Sequence, residues 1–194
     1  MSLTDPMPTR LSQDMEPVLA LPDPRTKLSA YHDMPYAIFR YDAEEEFDLR
    51  TQVRLLETRL SQKGKRVSRI SLAECLDEAM RAERPLEEWY EAEREQGTET
   101  VVQTVHAVLA STQPLVDLVA KRMPPDADPL RDVVFILRAG TLFPVYRTFS
   151  LLEQLKGRVH VPTILFYPGE LDGASGLRFM GVLDAEHNYR PKIF

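Results

Sequence analysis

The chain has 194 residues, with 24 Lys and Arg against 30 Asp and Glu, for a formal net charge of −6. Hydrophobic residues make up 43% and charged residues 28%, proportions of a folded domain rather than a disordered chain. A single cysteine excludes an internal disulfide, the acidic balance opposes whole-molecule attraction to nucleic acid, and no apolar run approaches the roughly 20 residues that cross a bilayer. The expectation is a cytoplasmic protein.

Residues 1–30 read as an N-terminal arm, partly flexible, because Pro6, Pro8, Pro17, Pro22 and Pro24 interrupt them. Leu11, Met15, Val18 and Leu19 keep helical spacing, which predicts a short arm helix lying on the domain. Residues 31–194 read as a single α/β domain. Its first strand is the apolar and aromatic run Tyr36-Ala-Ile-Phe-Arg-Tyr. Asp42 with Glu45 three residues on is a capping-box spacing, and Leu49, Val53, Leu56 and Leu60 then line one helical face. Gly64 closes that helix, and a second strand follows at Arg66-Val-Ser-Arg-Ile. Strand, helix and strand joined by short loops predict a right-handed parallel crossover.

Ser71 and Glu74 repeat the capping-box spacing, and Cys75 falls on the expected buried face of the next helix. Pro85 suits the first position of another helix, whose residues are acidic and polar around Trp89 and Tyr90. Val101, Val105, Val108 and Leu109 form a further stripe, which Thr112 and Pro114 interrupt before Leu115, Leu118 and Val119 resume it. Residues 72–122 are therefore expected to be a helical insertion between strands two and three, with Trp89 and Tyr90 as candidate interface residues. Val133-Val-Phe-Ile-Leu is apolar on both faces, as a central parallel strand must be. A helix over roughly 142–156, a strand at Pro162-Thr-Ile-Leu-Phe-Tyr, a loop at Pro168-Gly-Glu-Leu-Asp-Gly, a last short strand at Leu177-Arg-Phe-Met and a Tyr189-Arg-Pro tail complete the reading. The alternation predicts an α/β fold with a mostly parallel central sheet flanked by helices, Rossmann-like or of a degenerate P-loop-like kind.

The catalytic signatures that such sheets carry are missing. A P-loop needs G-x-x-x-x-G-K-[ST] after the first strand, where this chain has Tyr-Asp-Ala-Glu-Glu-Glu, whose carboxylates repel a triphosphate. The spacings G-x-G-x-x-G and G-x-S-x-G are absent too, and His32, His106, His160 and His187 lack partners at metal-ligand spacing. The reading is a protein that is not an enzyme and takes no cofactor or metal. Polar groups do concentrate beyond the carboxyl ends of the strands, where parallel sheets bind ligands. They are Asp42, then Arg138 and Gly140 with Arg147 further on, then Tyr167, Gly169, Glu170 and Asp172. These side chains either pair with one another and pin loops, or contact a partner, or bind a small molecule.

Three phrases of the C-terminal third, Val-Phe-Ile-Leu-Arg-Ala-Gly-Thr-Leu-Phe-Pro-Val-Tyr-Arg, Phe-Tyr-Pro-Gly-Glu-Leu-Asp-Gly, and Leu-Arg-Phe-Met-Gly-Val-Leu with Asn-Tyr-Arg behind it, resemble the BrxB family of BREX bacteriophage-exclusion systems. Pro-Tyr-Ala-Ile-Phe-Arg-Tyr-Asp and the helix after it are also similar. Matching positions include Arg138, Gly140, Arg147, Tyr167, Gly169, Glu170, Asp172, Tyr189 and Arg190. The chain departs from the family pattern at Thr141 or Leu142, where a second glycine is usual, and in its final Pro-Lys-Ile-Phe. The resemblance implies a place in a multi-protein system that methylates host DNA and blocks phage replication. Its other members include a DNA methyltransferase, a large ATPase and the phosphatase-like PglZ. The expected function is a non-catalytic assembly or adaptor component, with PglZ the first-choice partner. The alternative is a nucleotide- or nucleic-acid-binding regulatory subunit using Arg138 and Arg147 at the sheet edge, although direct nucleic-acid binding runs against the acidic charge.

Overall fold

A computed structural model describes residues 5–28, 35–173, 176–186 and 191–194. Five strands form a parallel sheet in the order β2-β3-β4-β1-β6: β1 (Tyr36–Tyr41), β2 (Arg66–Ser71), β3 (Asp132–Leu137), β4 (Thr163–Asp172) and β6 (Lys192–Ile193). β5 (Gly176–Phe179) runs antiparallel to the far end of β4. This is the α/β architecture with a mostly parallel central sheet that the alternation of patterns predicts.

Strand side chains alternate between two cores. Phe39, Phe135 and Phe166 point to one face, where Phe166 lies 5.6 Å from Phe39 and 5.2 Å from Phe135. Ile38, Ile136 and Leu165 point to the other. Both faces are covered, which is why β1, β3 and β4 read as nearly continuous apolar runs.

The Phe39 face is covered by the N-terminal segment and by α4 (Glu46–Gln62). The segment winds through α1 (Met7–Thr9), a π-helical stretch (Arg10–Met15) and α2 (Glu16–Leu19), and then α3 (Arg25–Leu28). Met7, Leu11, Met15, Leu19 and Leu28 all enter this core, and Val18 packs at its edge. Polar contacts tie the segment down as well. Arg10, 1% exposed, donates from Nη1 to the Phe194 carbonyl at 2.9 Å and lies over the Phe39 ring. Glu16 accepts from Arg59 Nε of α4 at 2.6 Å and from Lys63 Nζ, at the C-cap of that helix, at 2.7 Å. Lys65 Nζ donates to the carbonyls of Leu21 and Leu130.

The opposite face is covered by the helices between β2 and β3, as the pattern predicts: α5 (Leu72–Glu83), α6 (Leu86–Gln96), α7 (Thr98–Ala107) with its π-helical continuation (Val108–Thr112), and α8 (Leu115–Lys121). They form a side layer over the sheet, with α9 (Thr148–Leu155) beside them.

Three local readings are corrected. The helix expected over 142–156 is split into a 3-10 turn (Ala139–Leu142), a non-helical stretch and α9. Pro144 is the reason, since it drives Phe143 to an extended ψ of 132°. The loop expected at 168–173 is instead the second half of β4, paired with β5 from Gly169↔Phe179 to Asp172↔Gly176. Proline and glycine read locally as breakers, but Pro168 sits where β4 leaves β1 for a new partner. The expected C-terminal tail ends in β6, where Lys192 and Ile193 pair with Ala37 and Ile38 and Phe194 is fully buried.

Candidate functional site

The residues singled out at the strand ends do not converge on one cluster. Arg147, at the N-cap of α9, pairs with Glu186 at 3.3 Å. Asp172 pairs with Arg178 across the β4–β5 hairpin at 3.6 Å, and Asp42 pairs with Arg40. Glu45 accepts from the Asp42 N–H at 3.3 Å, the return bond of the capping box. Tyr167 is fully buried and packs against Phe179, ring centroids 5.4 Å apart, so its ring belongs to the core. Gly169 has a packing role: a Cβ there would lie 2.2 Å from the Arg178 carbonyl and 2.7 Å from the Tyr167 ring. Glu170 is exposed beside Gly181. Tyr189 and Arg190 lie outside the described residues.

The two insertion residues separate. Trp89 is 2% exposed, donates from Nε1 to the Met80 carbonyl at 3.0 Å and packs under the Arg84 guanidinium. It is a core residue and cannot serve as an open contact. Tyr90 is 57% exposed.

Arg138 and Gly140 line two adjoining clefts, with different neighbours from those expected. A cleft of about 390 Å³ opens between α4, the carboxyl ends of β2 and β3, and the start of α5. Leu49, Val53 and Leu137 form its apolar part, and Arg50, Arg54, Arg69 and Arg138 outnumber Glu46 and Glu74 around it. A smaller cleft of about 230 Å³ shares Glu46, Arg50 and Arg138 and continues past Gly140 and Thr141 to Met180.

Local structure explains how these groups are held. α4 brings Glu46, Arg50 and Arg54 to one side by i, i+4 spacing. Glu46 is the organising carboxylate, taking Arg50 Nε at 2.8 Å and the Tyr41 hydroxyl. Burial, and then that hydrogen bond, push the Tyr41 phenol well above its ordinary range. β2 supplies Arg69, which pairs with Glu57 at 3.4 Å, and Ser71, the N-cap of α5, whose Oγ accepts from the Glu74 N–H. Burial, ahead of the opposing charges of Arg69 and Arg54, pushes the Glu57 carboxyl up.

Arg138 follows β3 in a left-handed conformation, φ 62° and ψ 36°. Its carbonyl accepts from the Thr141 N–H and Oγ1, and Ala139 is fully buried, so both sides of the strained residue are fixed. Met180, in the smaller cleft, is also left-handed at φ 56°. Non-glycine residues in this region cost of order 1–3 kcal/mol and cluster at functional sites.

Arg50, Arg54 and Arg69 are functional candidates that the strand-end reading passes over. Arg50 and Arg54 sit along a helix flank rather than at a strand end, and their spacing on α4 is the signal that identifies them. Arg69 lies at the carboxyl end of β2, an edge strand whose charges read as plain solvation. Among the described residues, no group of three or more His, Cys, Asp or Glu stands where it could hold a metal ion, and no helix is long and apolar enough to cross a membrane.

Fold and cleft together define an α/β protein built on a parallel sheet with an arginine-rich recess at its carboxyl edge. A family model described as BREX protein BrxB matches residues 68–193, and the chain belongs to that family. It is 26% identical over 161 residues to the BREX protein BrxB of Bacillus cereus (strain H3081.97), covering 82% of each chain. No solved structure matches. Membership in a BREX system implies a role in phage defence.

Proposed function

We propose that this chain is a non-catalytic assembly subunit of its BREX system, docking onto another component, with the phosphatase-like PglZ the expected partner. The observation that carries this reading is the outer face of α4. Its inner stripe, Leu49, Val53, Leu56 and Leu60, is consumed by the core. Its outer stripe runs Phe47, Thr51, Leu55 and Thr58, within one sector of the helical wheel, and is exposed throughout. Phe47 is 77% exposed and Leu55 48%. Large aromatic side chains of this kind anchor protein interfaces once a partner covers them. Phe47 is also held by the Arg50 guanidinium, 5.2 Å from its ring centroid, which limits the entropy lost on docking.

The test is affinity purification of the tagged chain from cells carrying the intact system. The expected outcome is retention of PglZ, lost in Phe47→Glu with Leu55→Glu while the melting temperature stays unchanged. Recovery of no BREX component would refute the reading, and so would retention of PglZ by the double variant.

A further inference from the structure

We infer that the arginine cleft between α4 and the ends of β2 and β3 binds a phosphate-bearing ligand of mononucleotide size. This goes beyond partner docking and concerns the flank of α4 next to the docking stripe, with Arg50 and Arg54 bordering both.

Three observations carry the inference. The first is local charge. Four arginines face two glutamates around one recess, in a chain whose formal net charge is −6. Arg50 and Arg69 have carboxylate partners, whereas no ion pair to Arg54 or Arg138 is found among the described residues, and Arg54 donates from Nη2 to Thr51 Oγ1 at 3.2 Å. Two planar forks beside a concave surface are suited to bidentate contact with a phosphate group.

The second is shape. About 390 Å³ lies within the range of small-molecule sites, roughly 300–1,000 Å³. Its apolar part, Leu49, Val53 and Leu137, offers a surface for a base or sugar while the guanidiniums take the phosphate. The net negative charge opposes long polyanions more than a compact one, which favours a mononucleotide-sized group over an extended nucleic-acid track.

The third is strain. Arg138 keeps a left-handed backbone that glycine would adopt without cost, yet its guanidinium makes no ion pair among the described residues. That backbone is costly, and a contact from the guanidinium to a bound phosphate would offset the cost. Ser71 and the first turn of the 12-residue α5 border the same recess, so backbone N–H groups add to the field there.

A phosphomonoester can arrive on a free nucleotide or on the 5′ end of a nucleic acid, and the experiment separates the two. The purified full chain is titrated calorimetrically with AMP, with ATP, and with a short single-stranded oligonucleotide with and without a 5′ phosphate. Binding of AMP or ATP at one site is expected, weakened about tenfold by Arg54→Ala and by Arg138→Ala. Arg147→Ala, which removes the partner of Glu186 away from the cleft, leaves the affinity unchanged. Tighter binding of the 5′-phosphorylated oligonucleotide than of AMP identifies a nucleic-acid terminus as the source, and the reverse identifies the free nucleotide. Arg138→Gly distinguishes a ligand role from a structural one, because it raises the melting temperature while lowering affinity; a fall in both would overturn the assignment of Arg138. Silence toward all four probes at millimolar concentration overturns the proposal. Oligonucleotide binding tighter than AMP binding yet indifferent to the 5′ phosphate, or nucleotide binding indifferent to both arginine substitutions, overturns it equally.

Discussion

Replacing Glu16 with Gln should loosen the N-terminal segment from α4 and lower stability by about 2 kcal/mol at neutral pH. The Glu16 side chain is 7% exposed and takes both Arg59 and Lys63. Hydrogen bonds to a charged group contribute about 1.5–3 kcal/mol each when removed. Arg59 and Lys63 are 36% and 48% exposed, so water screens both and recovers part of what is lost. For a domain of this size the change amounts to a melting temperature lower by about 4–8 °C. Burial alone would raise the Glu16 carboxyl, but the bonds from Lys63 and Arg59 outweigh it and hold the group below its ordinary value of 4.5. Between the folded and unfolded values the unfolded chain binds more protons, so stability rises with pH there. The clamp is therefore fully present above the unfolded value and disappears as pH falls through the folded one. Thermal unfolding followed by circular dichroism, at about pH 7 and again below the folded value, should show a gap between wild type and Glu16→Gln that closes in acid. A gap that persists undiminished in acid, or none at neutral pH, would refute the reasoning.

Gly169→Ala should destabilise the chain by about 2–3 kcal/mol in urea unfolding, because its methyl group meets the Arg178 backbone carbonyl rather than a movable side chain. Trp89→Phe should cost about 1 kcal/mol by removing the indole bond to the Met80 carbonyl, which keeps its bond from the Arg84 N–H, yet leave partner retention unaltered, since the indole is not at the surface. Arg138→Gly should gain about 1 kcal/mol in the same unfolding assay, by relief of the left-handed backbone. Cys75 is fully buried, and burial pushes its thiol up to about 11. A thiol-specific chromogenic reagent at mildly alkaline pH should therefore leave the native chain untouched and label it only on unfolding.

Wherever periodicity was strong, the architecture was legible. β1, β3 and α4 follow from runs and stripes that burial on two faces imposes, and the helical block between β2 and β3 follows from the stop and restart at Pro114. Punctuation residues misled where tertiary partners overrode local preference. Pro168 and Gly169 look like a loop, yet Gly169 is needed because the hairpin brings the Arg178 carbonyl against its α-carbon. The final Pro-Lys-Ile-Phe looks like a tail, yet Phe194 fills a space that only the assembled sheet creates. The arm's own spacing announces a helix, but not that Arg10, Glu16 and Lys65 would lock the segment to the domain.

For the site the division follows from distance along the chain. The sequence by itself determined the alternation of elements and the family likeness, and it singled out Arg138 and Gly140, because each is written in neighbouring residues. Only the tertiary structure decided which charges meet. It sent Arg147 to Glu186, sank Trp89 and Tyr167 into the core, and brought Arg50 and Arg54 from one helix, Arg69 from an edge strand and Arg138 from a central one around a single recess. Ion pairing depends on separations of a few ångströms between side chains distant in sequence, and those separations are set by how helices cross the sheet, which no local pattern encodes.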